Sequence, residues 1–428
     1  MTADTNHAPQ AQRPDRPRLL IVALSLERGG TERHLAMVAP RLAALGWPVS
    51  IYCLATRGVM GDEVAAAGVH IIDPPLGGSA WFRGPLQSVR LALSAVKLAV
   101  YLVHRRPAIV HMFLPGPYLV AGPLAILTRR PVAIMSRRNL RDYLAGRPLI
   151  ARLERALHAR MTAVLGNSHA IARELVTFEG ASPERTGVIH NGTDLAAFDR
   201  QIDRAAVRAG VGASADAFVA IIVANIIPYK GHEDLIRALA LAADRMPAGW
   251  RVLCAGRDDG TRADCEALAA ALGLSDHVSF LGSRSDVPDL LLAADCGLLC
   301  SHEEGFSNAI IEGMAAGLPM VVTNVGGNPE AVIEEETGLI VPPRDPERLG
   351  AAILRIASDP SLARRLGEAG RRRAHAQFSL TACVESYDRL YRGLLTGASV
   401  AELVGAPDRA EPSAARPAAP RREVVPGP

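Results

Sequence analysis

Residues 304–330 read EGFSNAIIEGMAAGLPMVVTNVGGNPE. Glu304, Gly305, Phe306 and Ser307 make a loop that runs into an apolar helical stretch carrying a second carboxylate, Glu312. Gly317 and Pro319 stop that helix, because glycine takes the left-handed conformation at a helix C-terminus and proline cannot continue the hydrogen-bond ladder. The short apolar run Met320–Val322 reads as a strand, and Gly326–Gly327 opens a second loop at once. Such a unit presents amide donors at a helix N-terminus, which suits phosphate. It also offers two acidic acceptors for sugar hydroxyls.

Outward from this block, short apolar runs alternate with helical patterns. In the first half they are 18–24, 49–54, 69–72, 109–112, 132–136 and 163–167, with Gly29–Gly30 between the first run and a helix over 31–45. After Asp194 the pattern restarts with 218–225, 251–255, 278–281, 296–300, 320–323 and 338–341. Strand–helix alternation implies parallel sheets covered on both faces. The expected fold is α/β, two doubly wound Rossmann-like domains facing a cleft, with ligands at the carboxyl ends of the strands. The expected organisation is a lead-in over 1–17, a first domain over 18–200, a second over 201–380, a terminal helix over 381–396 and a tail over 397–428. The lead-in and tail read as disordered.

Composition narrows the setting of the 428-residue chain. It holds no run of eighteen apolar residues, so no transmembrane helix is expected. The polar N-terminus lacks the apolar core of a secretory signal. Six cysteines, at 53, 254, 265, 296, 300 and 383, form neither a CxxC pair nor a zinc-ligand spacing. A reduced, cytoplasmic location is expected. Net charge divides unevenly: residues 1–200 carry +10 and residues 201–428 carry −7. A basic first half either faces an anionic partner or merely uses arginine as its surface cation; no nucleic acid is expected as a partner. Residues 86–106, Leu/Val-rich with flanking arginines, read either as a core helix or as a peripheral contact with the inner face of a cell membrane.

Other motifs fall at the same kind of place. LERGGTERH (26–34) puts Gly29 and Gly30 before a helix, and glycine lets backbone approach a ligand closely. VANIIPYKGH (223–232) carries Lys230 and Gly231 from a strand into a helix, where a lysine can neutralise a diphosphate leaving group as its charge grows. FLGSR (280–284) places Gly282 and Arg284 after a strand, either at a ligand or in an ordinary turn. His111, in AIVHMF (108–113), and Arg137, Arg138 and Asn139, in MSRRN (135–139), stand at strand ends of the first half.

Together these strings resemble glycosyltransferase family 4, the glycosyl transferases group 1, retaining enzymes of GT-B fold. Glu304 and Glu312 match its E-x7-E signature, LERGGTERH its GGxE loop, and VANIIPYKGH its G-R-x4-K-G motif with Asn225 in place of the arginine. VIHNGTD (188–194) matches its domain-junction string. The resemblance implies a hexosyltransferase of class EC 2.4 that needs no metal or cofactor. The donor would be a nucleoside diphosphate sugar, a UDP-sugar foremost, and the acceptor a glycan or lipid-linked molecule in surface polysaccharide or lipopolysaccharide synthesis. It implies catalytic roles for Glu304, Lys230 and His111. It puts Gly29, Gly30, Asn225, Gly282, Arg284, Gly305, Phe306, Ser307, Asn308 and Glu312 at the donor. Arg137, Arg138 and Asn139 fall on the acceptor side. It further implies that the terminal helix crosses back to the first domain. Phe113 stands where relatives often carry a second histidine. Two alternatives stay open: a nucleotide-sugar epimerase on the same fold, and a non-catalytic nucleotide-sugar-binding subunit.

Overall fold

The computed structural model describes residues 16–27, 29–76, 86–139, 144 and 146–404. Most of the expected lead-in and tail, residues 1–15 and 405–428, lies outside the described residues. Two parallel sheets organise the chain. The first contains β1 (Leu19–Ala23), β2 (Val49–Cys53), β3 (His70–Ile72), β4 (Ile109–Phe113), β5 (Val132–Arg137), β6 (Ala163–Gly166) and β7 (Thr186–Val188). Its spatial order is β3-β2-β1-β4-β5-β6-β7. The second contains β8 (Val219–Val223), β9 (Arg251–Ala255), β10 (Val278–Gly282), β11 (Cys296–Leu299), β12 (Met320–Thr323) and β13 (Gly338–Val341), ordered β10-β9-β8-β11-β12-β13. All paired strands run parallel, and the order in which the chain lays them down reverses once in each sheet, between β1 and β4 and between β8 and β11. Those are the topological switch points at which such sheets open a crevice.

The strands are mostly apolar because both faces of each sheet are covered. All five residues of β1 are buried, as are all four of β12. One face of the first sheet carries α1 (Gly30–Ala44) and α2 (Gly61–Ala66). The other carries α3 (Gln87–Arg105), α4 (Pro115–Leu127), α5 (Pro148–His158) and α6 (His169–Glu179). Ser168 caps α6 by accepting from the Ile171 amide at 3.2 Å, and Gly180 closes it. In the second lobe come α7 (Arg204–Gly210), α8 (His232–Ala242), α9 (Arg262–Ala271), α10 (Val287–Ala293), α11 (Asn308–Ala315), α12 (Asn328–Ala331), α13 (Pro346–Ser358) and α14 (Pro360–Gln377).

The helix after α14, α15 (Leu380–Leu395), belongs to the first lobe's core. Its Leu380, Val384, Tyr387, Leu390 and Tyr391 are buried among Leu19, Ile21, Leu35 and Ile51. The chain thus passes between lobes twice, and the two passages touch: Leu380 donates to the Thr193 carbonyl at 2.9 Å, and Thr193 donates to the Phe378 carbonyl at 3.0 Å. Order continues past residue 397, where a tail was expected. Val400–Val404 forms α16, with Val400 buried in the same core. No described helix is long and apolar enough to cross a membrane.

Candidate active site

The loops after β8 and β11, the two strands flanking the second switch point, bring Lys230 and Glu304 together. Lys230 Nζ donates to Glu304 Oε1 at 2.5 Å, and Ser301 Oγ donates to the same oxygen at 2.8 Å. Gly231 makes the meeting possible. Its φ is +72°, and a Cβ there would lie 2.0 Å from the Cys300 carbonyl oxygen, so the loop after β8 packs directly on the end of β11. The pair is largely shielded, with side-chain exposures of 16% and 10%. Burial by itself would lower the Lys230 pKa; attraction by Glu304 outweighs it and holds the ammonium above its ordinary range.

The loop that follows Glu304 is held by the first lobe. A Cβ on Gly305 would stand 2.4 Å from the Arg138 carbonyl oxygen, so only glycine lets the lobes approach here. Asn191 Nδ2 donates to the Phe306 carbonyl at 2.9 Å and to Asn308 Oδ1 at 2.8 Å. Phe306 is buried with its ring against His190 and Phe378. Ser307 precedes α11 without capping it through its side chain. The first-turn amides of α11 therefore keep the anion-binding character of an uncapped helix N-terminus. Glu312, buried on α11, faces Arg33 of α1 across the lobes at 3.4 Å. Burial pushes its carboxyl up, with Arg33 partly countering.

Gly29 and Gly30 open α1 after β1, both exposed, with Gly29 beneath the Glu32 carboxylate and open space over Gly30. Burial raises the Glu32 pKa, opposed by its own backbone amide and by Arg138. Arg138 follows β5, hydrogen-bonds Tyr387 and lies within electrostatic reach of Glu32. Asn139 is half-buried beside it. In the second lobe the Asn225 amide donates to Asp259 at 3.1 Å, and Asp259 also accepts from Arg257 Nε at 2.7 Å. Gly282 ends β10 at φ +68°, and Arg284 beyond it pairs with Asp286 at 2.5 Å.

Two expected site residues sit elsewhere. His111 is fully buried: Nδ1 is 2.8 Å from the Tyr391 hydroxyl, Nε2 is 2.7 Å from Ser136 Oγ, and Phe113 stacks on the ring. Side chains alternate along a strand, and position 111 points to the face that α1 and α15 cover. It cannot reach a substrate in this arrangement. Burial, helped by Arg138, takes its pKa down to about 3, so the ring is neutral. Arg137, expected on the acceptor side, points to the opposite face. It is 1% exposed and pairs with Glu179 of α6 at 2.6 Å and Glu154 of α5 at 3.0 Å, an interior ion network rather than a cleft residue.

Reading the sequence left out the residues that join the lobes. Glu330 of α12 accepts from the His169 and Ala170 amides at 2.7 and 2.8 Å, capping α6 from the other lobe, and lies 3.0 Å from His190 Nε2. Burial alone would raise its pKa, but the His190 hydrogen bond and the two amides outweigh that and hold the carboxyl low. Arg33 and Asn191 were missed with it. The string GGNPE and the junction string around Asn191 were visible; that they meet was not.

Comparison with known proteins bears on the family and the fold. Residues 203–373 match the family described as Glycosyl transferases group 1, and residues 28–197 match Glycosyltransferase Family 4. A D-inositol 3-phosphate glycosyltransferase of Segniliparus rotundus is 32% identical over 256 residues, covering 58% of this chain and 56% of that one. One of Salinispora arenicola is 29% identical over 399 residues, covering 86% of each. Among solved structures, Anabaena Alr3699/HepE in complex with UDP-glucose superposes with TM-score 0.76 at 20% identity, over 88% of this chain and all of that one. WaaG, a glycosyltransferase involved in lipopolysaccharide biosynthesis, does so with TM-score 0.66 at 20% identity, over 89% of this chain and all of that one.

Proposed function

The chain belongs to the glycosyl transferases group 1, glycosyltransferase family 4, with the GT-B fold, and from that premise we propose that it moves a hexose from a UDP-sugar to a glycan or lipid-linked acceptor, with retention and without a metal. The carrying observation is the Lys230–Glu304 pair at the switch point of the second sheet, beside the N-terminus of α11. On this reading the donor diphosphate lies between Lys230 and the first-turn amides of α11, which neutralise the charge that grows on it. Glu312 accepts the ribose hydroxyls in exchange for Arg33. Glu304, on the sugar face away from the diphosphate, stabilises positive charge at the anomeric carbon. The acceptor enters from the first lobe by Arg138 and Asn139. The bond from anomeric carbon to phosphate oxygen breaks, the acceptor oxygen bonds to that carbon on the same face, and the acceptor proton passes to the leaving phosphate oxygen.

We place this transfer in surface polysaccharide or lipopolysaccharide synthesis at the inner face of a cell membrane; WaaG, a glycosyltransferase involved in lipopolysaccharide biosynthesis, shares the fold. The names of the two relatives favour a second acceptor class, an inositol phosphate. The test is nucleotide release and sugar fate for UDP-, GDP- and ADP-sugars with chelator present, offered a glycolipid extract or inositol phosphate. Release with a UDP-sugar that needs one acceptor and disappears in Glu312→Ala supports the proposal and identifies the acceptor class. Isomerised donor without acceptor points to an epimerase instead. Donor binding without turnover on either acceptor points to the binding subunit.

A further inference from the structure

Helix α3 has two apolar faces, and the fold uses one. Ser94, Leu98 and Leu102 are buried against the first sheet. On the opposite side Val89, Leu93, Val96, Val100 and Val103 are between 42% and 62% exposed. Their spacing of four and three residues makes one continuous stripe along the helix. Arg90, Lys97 and His104, seven residues apart, follow one flank of it. From residue 74 to residue 141 the sequence has ten lysines and arginines and no aspartate or glutamate. The apolar surface continues onto neighbouring helices of the same sheet face, with Leu127 of α4 at 76% and Leu149 of α5 at 75% exposure.

We infer that this face seats the protein on an anionic lipid surface. A stripe of valine and leucine edged by cations is the pattern of a helix lying in the headgroup plane, its apolar side in the acyl boundary. A bilayer suits the shape, because the apolar residues spread over three helices instead of forming a groove. A second copy of this chain suits it poorly: pairing α3 with itself would bring two cationic flanks together with no carboxylate on either helix. The placement also serves access. The short turn from α3 into β4 fixes α3 antiparallel to the strands. Its N-terminus therefore points to the carboxyl edge of the sheet, where the cleft opens, so a lipid-linked molecule in the bilayer would meet the cleft mouth. The inference does not depend on turnover.

The full chain is sedimented with vesicles of phosphatidylcholine alone or mixed with phosphatidylglycerol, at low and high salt. Binding to the anionic vesicles only, weakened by salt, is expected. Val96→Glu/Val100→Glu should abolish it and leave the thermal melt unchanged, since both side chains are already in water. Arg90→Gln/Lys97→Gln should weaken it about tenfold or more. No sedimentation with anionic vesicles, or binding that V96E/V100E leaves intact, overturns the inference. So does a wild-type dimer in analytical ultracentrifugation that V96E/V100E dissolves, which would make this face a self-association surface.

Discussion

At the scale of residues, the ion pair sets the site's character. A shielded lysine bound to a carboxylate carries little net field, and an incoming diphosphate changes that by competing for the ammonium. Lys230→Ala should lower kcat by about 10²–10³, the usual cost of losing a donor aimed at developing charge, with a smaller change in donor affinity. It also strands Glu304 in a site of low exposure, so the variant should lose about 1–3 kcal/mol of stability. Lys230→Met/Glu304→Gln should recover much of that stability and none of the activity. Melting curves and single-turnover rates on the same preparations separate the two effects; a K230A enzyme with wild-type kcat would remove Lys230 from the chemistry. Arg33 is 61% exposed, and exposed pairs contribute about 0–1 kcal/mol. Arg33→Ala should therefore shift donor affinity by no more than about fivefold, measured by calorimetric titration.

At the scale of elements, the strands were legible because a buried parallel strand is a short apolar run between turns. β7 escaped: Thr186-Gly187-Val188 is three residues long with glycine at its centre, so no run exists to see. The loops carrying Glu304, Lys230 and Gly305 were legible too, as polar and glycine-rich breaks after such runs. His111 and Arg137 were misread because each still belongs to its strand, His111 within β4 and Arg137 as the last residue of β5, so alternation and not nearness to the end decides what the side chain meets. The second apolar stripe of α3 has the same period as the first, and only packing tells which one is covered. His111 has a measurable consequence within β4 and α15. An unfolded histidine binds its proton near pH 6.5, whereas His111 in the fold does so at about 3. Between those values the unfolded chain holds more protons, so stability falls as pH drops through that window, by at most about 1.4 kcal/mol per pH unit. His34, also buried and held neutral against Tyr387, adds in the same direction. His111→Gln keeps hydrogen-bonding capacity without titrating. Its melting temperature should decline less steeply between pH 6.5 and 4 than that of the wild type. Parallel declines would mean that other groups govern the acid limb.

At the scale of the whole molecule, two lobes are joined by crossing segments at Thr193 and Phe378–Leu380 and by polar contacts that no local pattern foretells. Residues 33 and 312, 191 and 306, and 169 and 330 meet only after both sheets have formed, which is why the sequence showed the motifs and not their union. The contacts differ in strength. Arg33–Glu312 is half in water, while Glu330 takes two backbone amides and a histidine at 3.0 Å or less. Charge-assisted bonds to amides at a helix N-terminus are worth more than an exposed pair, so Glu330 is the main polar tie between lobes. Glu330→Ala leaves the α6 amides and the His190 ring without their acceptor in a partly buried place. Each lobe keeps its own core, so the loss should fall on the relation between lobes. Small-angle scattering should show a larger radius of gyration, and hydrogen exchange should quicken at the first amides of α6 while β1 and β8 stay protected. Because Gly305 and Arg138 approach only when the lobes are together, donor KM should rise about tenfold. A compact E330A protein with unchanged exchange in α6 would shift the closing force to the apolar packing of Phe306 against His190 and Phe378.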